Sequence, residues 1–336
     1  MSQGRIHNFG AGPAVLPLSV VEECRAALPN LNGSGFGLLE ISHRSQTFQD
    51  IVDSAMAGLR RVLGVPDDYT VLFLQGGASL QFYMAALNLL DEGEKADYLL
   101  TGGWSKKALV EAKRVGDAQA AWSPDDSGFK RVPKNGEYQI RDDSVFVHYT
   151  SNNTLYGTQF HHIPDSGGKP LVLDASSDIA GVPIDISAHD LVYAGAQKNL
   201  GPSGVTVVIL SPWALSKVGD GIPTMLDYSV HASKGSLFNT PNTFGIFVLD
   251  RVFNWLDENG GLDASIARNK AKSDLLYGEL DRIDFWAPHA DNDSRSVMNV
   301  TWRLADESLE SVFLAEAEEA GLGGLKGHRS VGGVRA

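Results

Sequence analysis

Short apolar runs and stretches with apolar residues at helical spacing take turns along most of the chain. TVLFL (Thr70 to Leu74) ends at Gln75-Gly76-Gly77, and SLQFYMAALNLL after it has the spacing of a helix. DYLLT gives way to Gly102-Gly103 and the helical WSKKALVEAKRVG. VFVHYT, PLVLDASS, DLVYAG and VTVVIL are further short β-rich runs. This order predicts an α/β fold with helices layered on a largely parallel sheet, whose sites lie beyond the carboxyl ends of the strands. Upstream, VVEECRAAL reads as an amphipathic helix in which Cys24 packs. SQTFQDIVDSAMAGLRRVLG is a second, with Phe48, Ile51, Val52, Ala55, Met56 and Leu59 on one face. FGIFVLDRVFNWLDENGG is a helix that Asn259-Gly260-Gly261 stops. The expected division is an N-terminal arm over 1–15, a large domain over 16–258 and a small α+β domain over 259–336.

A chain of 336 residues with 43% hydrophobic content has ample material for a large core. Its net charge of −13 argues against a sequence-independent nucleic-acid binder, which needs a basic face. Apolar windows are broken by Gly, Asp or Lys before they reach the length of a membrane span. The start, MSQGRIHNFGAGP, lacks the charged-then-apolar order of a signal peptide. One cysteine allows no intrachain disulfide. The expectation is a soluble cytoplasmic protein with no nucleic-acid or membrane partner.

Chemistry enters at "YAGAQKNLGPSG", where Lys198 stands between two apolar strands. Lysine is seldom fully buried without a partner. A desolvated lysine loses proton affinity and becomes a nucleophile toward carbonyls, whereas a lysine whose head reaches the surface does neither. Asp174 ends the apolar strand VLD, where a lone carboxylate is costly. It needs a cationic partner such as a pyridinium nitrogen, or it serves as a helix cap or in an ion pair. Asn153 and Thr154 leave the preceding strand in a polar turn within reach of a ring hydroxyl. Trp104 opens a helix after two glycines, either to stack on a flat ring or to join the core. Gly76-Gly77-Ala78-Ser79 is a strand-to-helix turn whose free N–H groups suit a phosphate, although it matches neither a P-loop nor a dinucleotide fingerprint. Together these residues describe a pyridoxal-phosphate pocket. His161-His162 would point to opposite faces of a strand and has no partner at ligand spacing, so no metal site is expected.

The blocks "ISHRSQTF", "FLQGGAS", "TGGWSKKA", "YTSNNT", "AGAQKNLGPSG", "SLFNTP" with "TFGI", and "GHRSVGGVRA" resemble the phosphoserine aminotransferases, class V, fold-type I pyridoxal-phosphate (PLP) enzymes. The resemblance runs colinearly from NFGAGPAVLP to the last residue and implies a mostly parallel seven-stranded sheet with a small C-terminal domain. It implies that Lys198 holds the cofactor as a Schiff base, that Asp174 faces the pyridine nitrogen and that Trp104 stacks on the ring. Thr154 would bond the ring oxygen, and Ala78, Ser79 and Gln197 would hold the phosphate. Asn239 and Thr240 would complete that site in the other subunit, so the active unit would be a homodimer.

The implied substrates, L-glutamate and 3-phosphohydroxypyruvate, carry carboxylates and a phosphate, which planar arginine recognises well. The resemblance assigns Arg44 and Arg335 to the substrate carboxylate. His43, His328 and Arg329 go to the remote phosphate or γ-carboxylate, with His328 and Arg329 from the partner subunit. The implied chemistry is ping-pong transamination giving O-phospho-L-serine and 2-oxoglutarate for serine biosynthesis, with Lys198 as general base on the α-proton. A phosphorylated hydroxythreonine precursor of vitamin B6 is a second candidate substrate that the sequence leaves open. Two other readings also remain: a different class V enzyme (a cysteine desulfurase or an alanine–glyoxylate-type transaminase), and an inactive relative. A desulfurase needs a mobile catalytic cysteine, for which Cys24 is poorly placed, and an alanine-type enzyme would not need so many anion-binding residues. Asn242 stands where the family often has proline. The family also continues past the position of Ala336, which leads to the expectation of weakened substrate binding and a less stable small domain.

Overall fold

The computed structural model describes residues 4–124 and 127–336. Its centre is a seven-stranded sheet of β1 (Thr70–Leu74), β2 (Lys95–Leu99), β3 (Asp117–Trp122), β4 (Ser144–Thr150), β5 (Leu171–Asp174), β6 (Leu191–Gly195) and β7 (Thr206–Leu210). The spatial order is β1-β7-β6-β5-β4-β2-β3. Only β7 runs against its neighbours β1 and β6. The other pairings are parallel, so the carboxyl ends of six strands share one edge. Register aligns Thr150 with Asp174 and Asp174 with Tyr193, which brings the exits of β4, β5 and β6 side by side.

Strand alternation divides the core between the two faces. Val207 and Ile209 of β7 enter one apolar cluster, while Val208 and Leu210 enter the other. The first face is covered by α1 (Leu18–Ala27), α2 (Gln46–Leu63) and α7 (Thr243–Glu258), the second by α3 (Gly77–Leu89) and α4 (Gly103–Ala112). Two short helices, α5 (Pro212–Ser216) and α6 (Tyr228–Ser233), follow β7. α2 starts at Ser45, whose hydroxyl accepts from the Phe48 N–H, and ends at Gly64 in the left-handed region. It approaches α7 so closely that a Cβ on Gly58 would lie 2.8 Å from that of Phe253. Asn242, the departure from proline, caps α7 by accepting from the Gly245 N–H at 2.9 Å. Cys24 is buried, as its helical pattern predicts.

After Gly260, at φ +89°, α8 (Gly261–Leu280) leads into a three-stranded antiparallel sheet of β8 (Trp286–Pro288), β9 (Thr301–Leu304) and β10 (Val334–Arg335). α9 (Glu310–Glu319) packs with it over a separate cluster containing Trp302, Leu304 and Val334. Within SVMNVTW (residues 296–302), regular strand begins at Thr301. Ser296 accepts from the Met298 and Asn299 N–H groups and holds the preceding residues in a turn. Ala336 exchanges two backbone hydrogen bonds with Val300. Among the described residues, no helix is long and apolar enough to cross a membrane.

Candidate active site

Lys198 lies in the turn from β6 to β7, tied down where the Leu200 and Gly201 N–H groups donate to the Ala196 carbonyl. Its Nζ donates to Thr154 Oγ1 at 2.6 Å, in the turn that follows β4. Packing is tight along the lysine stem, since a Cβ on Gly12 of the N-terminal arm would come within 2.9 Å of Lys198 Cγ. Burial lowers the amine to about 8, although Asp174 and Asp178 favour its charged form. Some fraction of neutral amine is therefore present near neutral pH, the form that attacks carbonyls.

Asp174 is 3% exposed, and burial raises its carboxyl above the ordinary range, opposed by hydrogen bonds from Ser176 and by the charge of Lys198. Ser176 N and Oγ both donate to Asp174 Oδ1, at 3.0 and 2.6 Å. The carboxylate is thus gripped through one oxygen, which suits a cationic partner at the other. Trp104 begins the second residue of α4, and the Lys198 amine lies 5.9 Å from its ring centroid. Asn153 packs against the same helix start, where a Cβ on Gly102 would fall 2.2 Å from its amide nitrogen. Both amide atoms of Asn153 are buried, and neither has a hydrogen-bond partner among the described residues.

α3 opens at Gly76 and Gly77, at φ +91° and +65°. Its first-turn N–H groups, those of Ala78 and Ser79 included, have no intrahelical acceptor and favour an anion. Gln197 folds back over Gly195, where a Cβ would meet its amide oxygen at 2.7 Å. Gln75 Nε2 donates to the Thr240 carbonyl at 3.2 Å, which places Asn239 and Thr240 beside the start of this chain's own α3. A flat aromatic wall, an anion-binding helix start, a singly gripped buried acid, orphaned amide atoms and a desolvated lysine fit pyridoxal phosphate.

Arg335 reaches the cluster from β10, its Nη1 donating to the Thr154 carbonyl at 3.2 Å, and burial lowers its proton affinity. His328 accompanies it. Burial depresses the imidazole, and the charges of Arg335, Arg329 and Lys107 depress it further. Lys107 itself lies 4.5 Å from the Trp104 ring centroid. His328, Arg329 and Arg335 thus gather on the Trp104 side within one chain. His43 and Arg44 occupy a turn before α2, with the Arg44 N–H bonded to Ser42 Oγ at 3.2 Å. Among the described residues, no hydrogen bond joins them to the Lys198 cluster.

A cavity of about 1040 Å³ reaches Lys198 from the side of the arm, between Asn8, Gly10, α7, α8 and Met298. Trp104, Thr154 and Asp174 do not line it. Donor chemistry rather than volume therefore locates the cofactor seat. His161 lies in a bend with its Nε2 2.9 Å from the Arg295 carbonyl, and no cluster among the described residues has three metal-ligating side chains. Pattern reading missed Ser176, Asp178 and Gly12.

The Aminotransferase class-V family profile matches residues 6–334. The phosphoserine aminotransferase of Lysinibacillus sphaericus is 50% identical over 333 residues, covering 99% of this chain and 92% of the relative. The phosphoserine aminotransferase from Bacillus circulans subsp. alkalophilus superposes with a TM-score of 0.96 at 46% identity, covering 99% of this chain and 92% of that one. The PLP-bound phosphoserine aminotransferase from Trichomonas vaginalis gives 0.94 at 34% identity, with 99% and 94% covered.

Proposed function

The chain belongs to the class-V aminotransferases, and on that footing we propose that it moves the amino group of L-glutamate to 3-phosphohydroxypyruvate, yielding O-phospho-L-serine and 2-oxoglutarate. One observation carries this reading: a desolvated Lys198 amine is held 2.6 Å from Thr154 Oγ1, between Trp104 and the buried Asp174. Bound pyridoxal phosphate supplies an electron sink for the bond-breaking at the substrate α-carbon.

The chain's own residues do the rest. Lys198 would hold the cofactor, and its Nζ would take the substrate α-proton, for which an amine lowered to about 8 by burial is well matched. Asp174 would pair with the ring nitrogen through its second oxygen, Trp104 would lie against the ring, Thr154 would bond the ring oxygen, and Ala78, Ser79 and Gln197 would hold the phosphate. Arg335 holds the substrate carboxylate beside Thr154, with Arg44 as a second carboxylate donor. His43, His328 and Arg329 receive the distal anion. Although Asn239 and Thr240 stand beside this chain's own α3, we follow the family resemblance in giving them to the phosphate site of a partner subunit, which makes the working unit a homodimer. The exposed Phe36 and Leu39, 62% and 65% accessible beside the His43–Arg44 turn, support a covered face there. The arm, large domain and small domain divide at residues 15 and 258, and the site of action is the cytoplasm.

Purified protein given L-glutamate and 3-phosphohydroxypyruvate should form 2-oxoglutarate at least about a hundredfold faster than it turns over L-alanine with glyoxylate. Preference for the second pair would overturn the substrate assignment, because the cationic cluster would then have no distal anion to bind.

A further inference from the structure

Behind Asp174 lies a second carboxylate that the reaction scheme leaves unused. Asp178 is 1% exposed, in the turn that follows β5. Ser151 Oγ donates to its Oδ1 at 2.6 Å, and Gln159 Nε2 to its Oδ2 at 3.1 Å. Gln159 cannot reverse without loss, because its Oε1 accepts from the Val297 N–H at 3.0 Å. Oδ2 must therefore accept, and any proton on Asp178 must sit on Oδ1, facing Ser151. The Ser151 hydroxyl has a second acceptor in the Asp174 carbonyl, at 3.3 Å. A hydroxyl has one proton to give. While Asp178 is ionised, Ser151 gives it to the carboxylate. When Asp178 takes up a proton on Oδ1, the carboxyl becomes the donor and the Ser151 O–H turns to the Asp174 carbonyl.

We propose that Asp178 is a positioning residue for the amino transfer, acting through Ser151 on the Asp174 backbone and through its charge on the Lys198 amine. An ionised carboxylate held without a counter-cation of its own is a cost that folding alone does not require. The titratable groups facing it are Asp174, Lys198 and the phenol of Tyr149, which burial and Asp178 keep neutral. Burial lifts Asp178 to about 6, Asp174 pushes the same way, and the Ser151 and Gln159 donors and Lys198 oppose them. Near neutral pH Asp178 is therefore mostly ionised, the state in which Ser151 donates to it and its charge favours the protonated amine.

The inference rests on Lys198 being the cofactor lysine, and the test separates the two. Bound pyridoxal phosphate changes its visible absorbance as its bond to Lys198 gains or loses a proton. Titrating that absorbance in the holoenzyme and in Asp178→Asn should show the midpoint about one pH unit lower in the variant, a tenfold loss of proton affinity from removing a nearby negative charge. Asp178→Glu should recover most of it. Ser151→Ala, which keeps the charge but removes its donor, should shift the midpoint the same way by less, and it decides the matter if Asp178→Asn fails to fold. A role confined to packing would lower the melting temperature and leave the midpoint in place, which would overturn the proposal. A wild-type protein that takes up no cofactor would overturn the Lys198 reading and this inference with it.

Discussion

Replacing Lys198 by Met keeps the stem that packs on Gly12 and removes the desolvated amine. Folding moves that amine from its ordinary 10.5 down to about 8. At about 1.4 kcal/mol per pH unit, the buried charge costs about 3 kcal/mol wherever the folded protein must keep it protonated. Losing the hydrogen bond to Thr154 offsets about 1 kcal/mol of the relief. Cofactor-free Lys198→Met should therefore be more stable than wild type by about 2 kcal/mol at pH 7. Between pH 8 and 10.5 the unfolded chain binds a proton that the folded chain does not, so wild-type stability rises with pH and the advantage disappears. Urea unfolding at a fixed protein concentration reads this as a midpoint higher by about 0.5 to 1 M at pH 7, and level or lower at pH 10. The same midpoint shift at both pH values, or a variant less stable at pH 7, would refute the claim that the lysine is held desolvated.

Asp174→Asn removes the charge facing the ring nitrogen at nearly constant volume. It should lower kcat about 10²- to 10³-fold in a steady-state assay, with the cofactor still bound through the α3 N-terminus; activity within tenfold of wild type would count against the assignment. Gly102→Ala puts a Cβ 2.2 Å from the Asn153 amide, so it should cost about 1–3 kcal/mol and lower the thermal midpoint by several degrees.

Much of this architecture is legible in the chain because strand and helix periods differ. The VTVVIL run reads as a short β-rich strand, and β7 forms there and feeds both apolar clusters. Its direction is not legible, since periodicity carries no polarity, and only pairing shows that it opposes β1 and β6. Lys198, Asp174 and Trp104 stand out because a polar or aromatic group at a strand exit violates the local pattern. Asp178 does not, because an aspartate in a Ser-rich turn looks solvated, and its burial depends on Ser151 and Gln159, distant in sequence. The gathering of His328 and Arg335 beside Trp104 depends likewise on a two-residue strand, Val334–Arg335, too short to announce itself.

The central claim is that Lys198 is the residue that takes the cofactor. Incubating the protein with pyridoxal phosphate, reducing with borohydride and mapping proteolytic peptides by mass spectrometry tests it directly. The account predicts one stoichiometric phosphopyridoxyl adduct, on Lys198, abolished in Lys198→Met. An adduct on another lysine, Lys107 beside Trp104 included, or none at all, would contradict it.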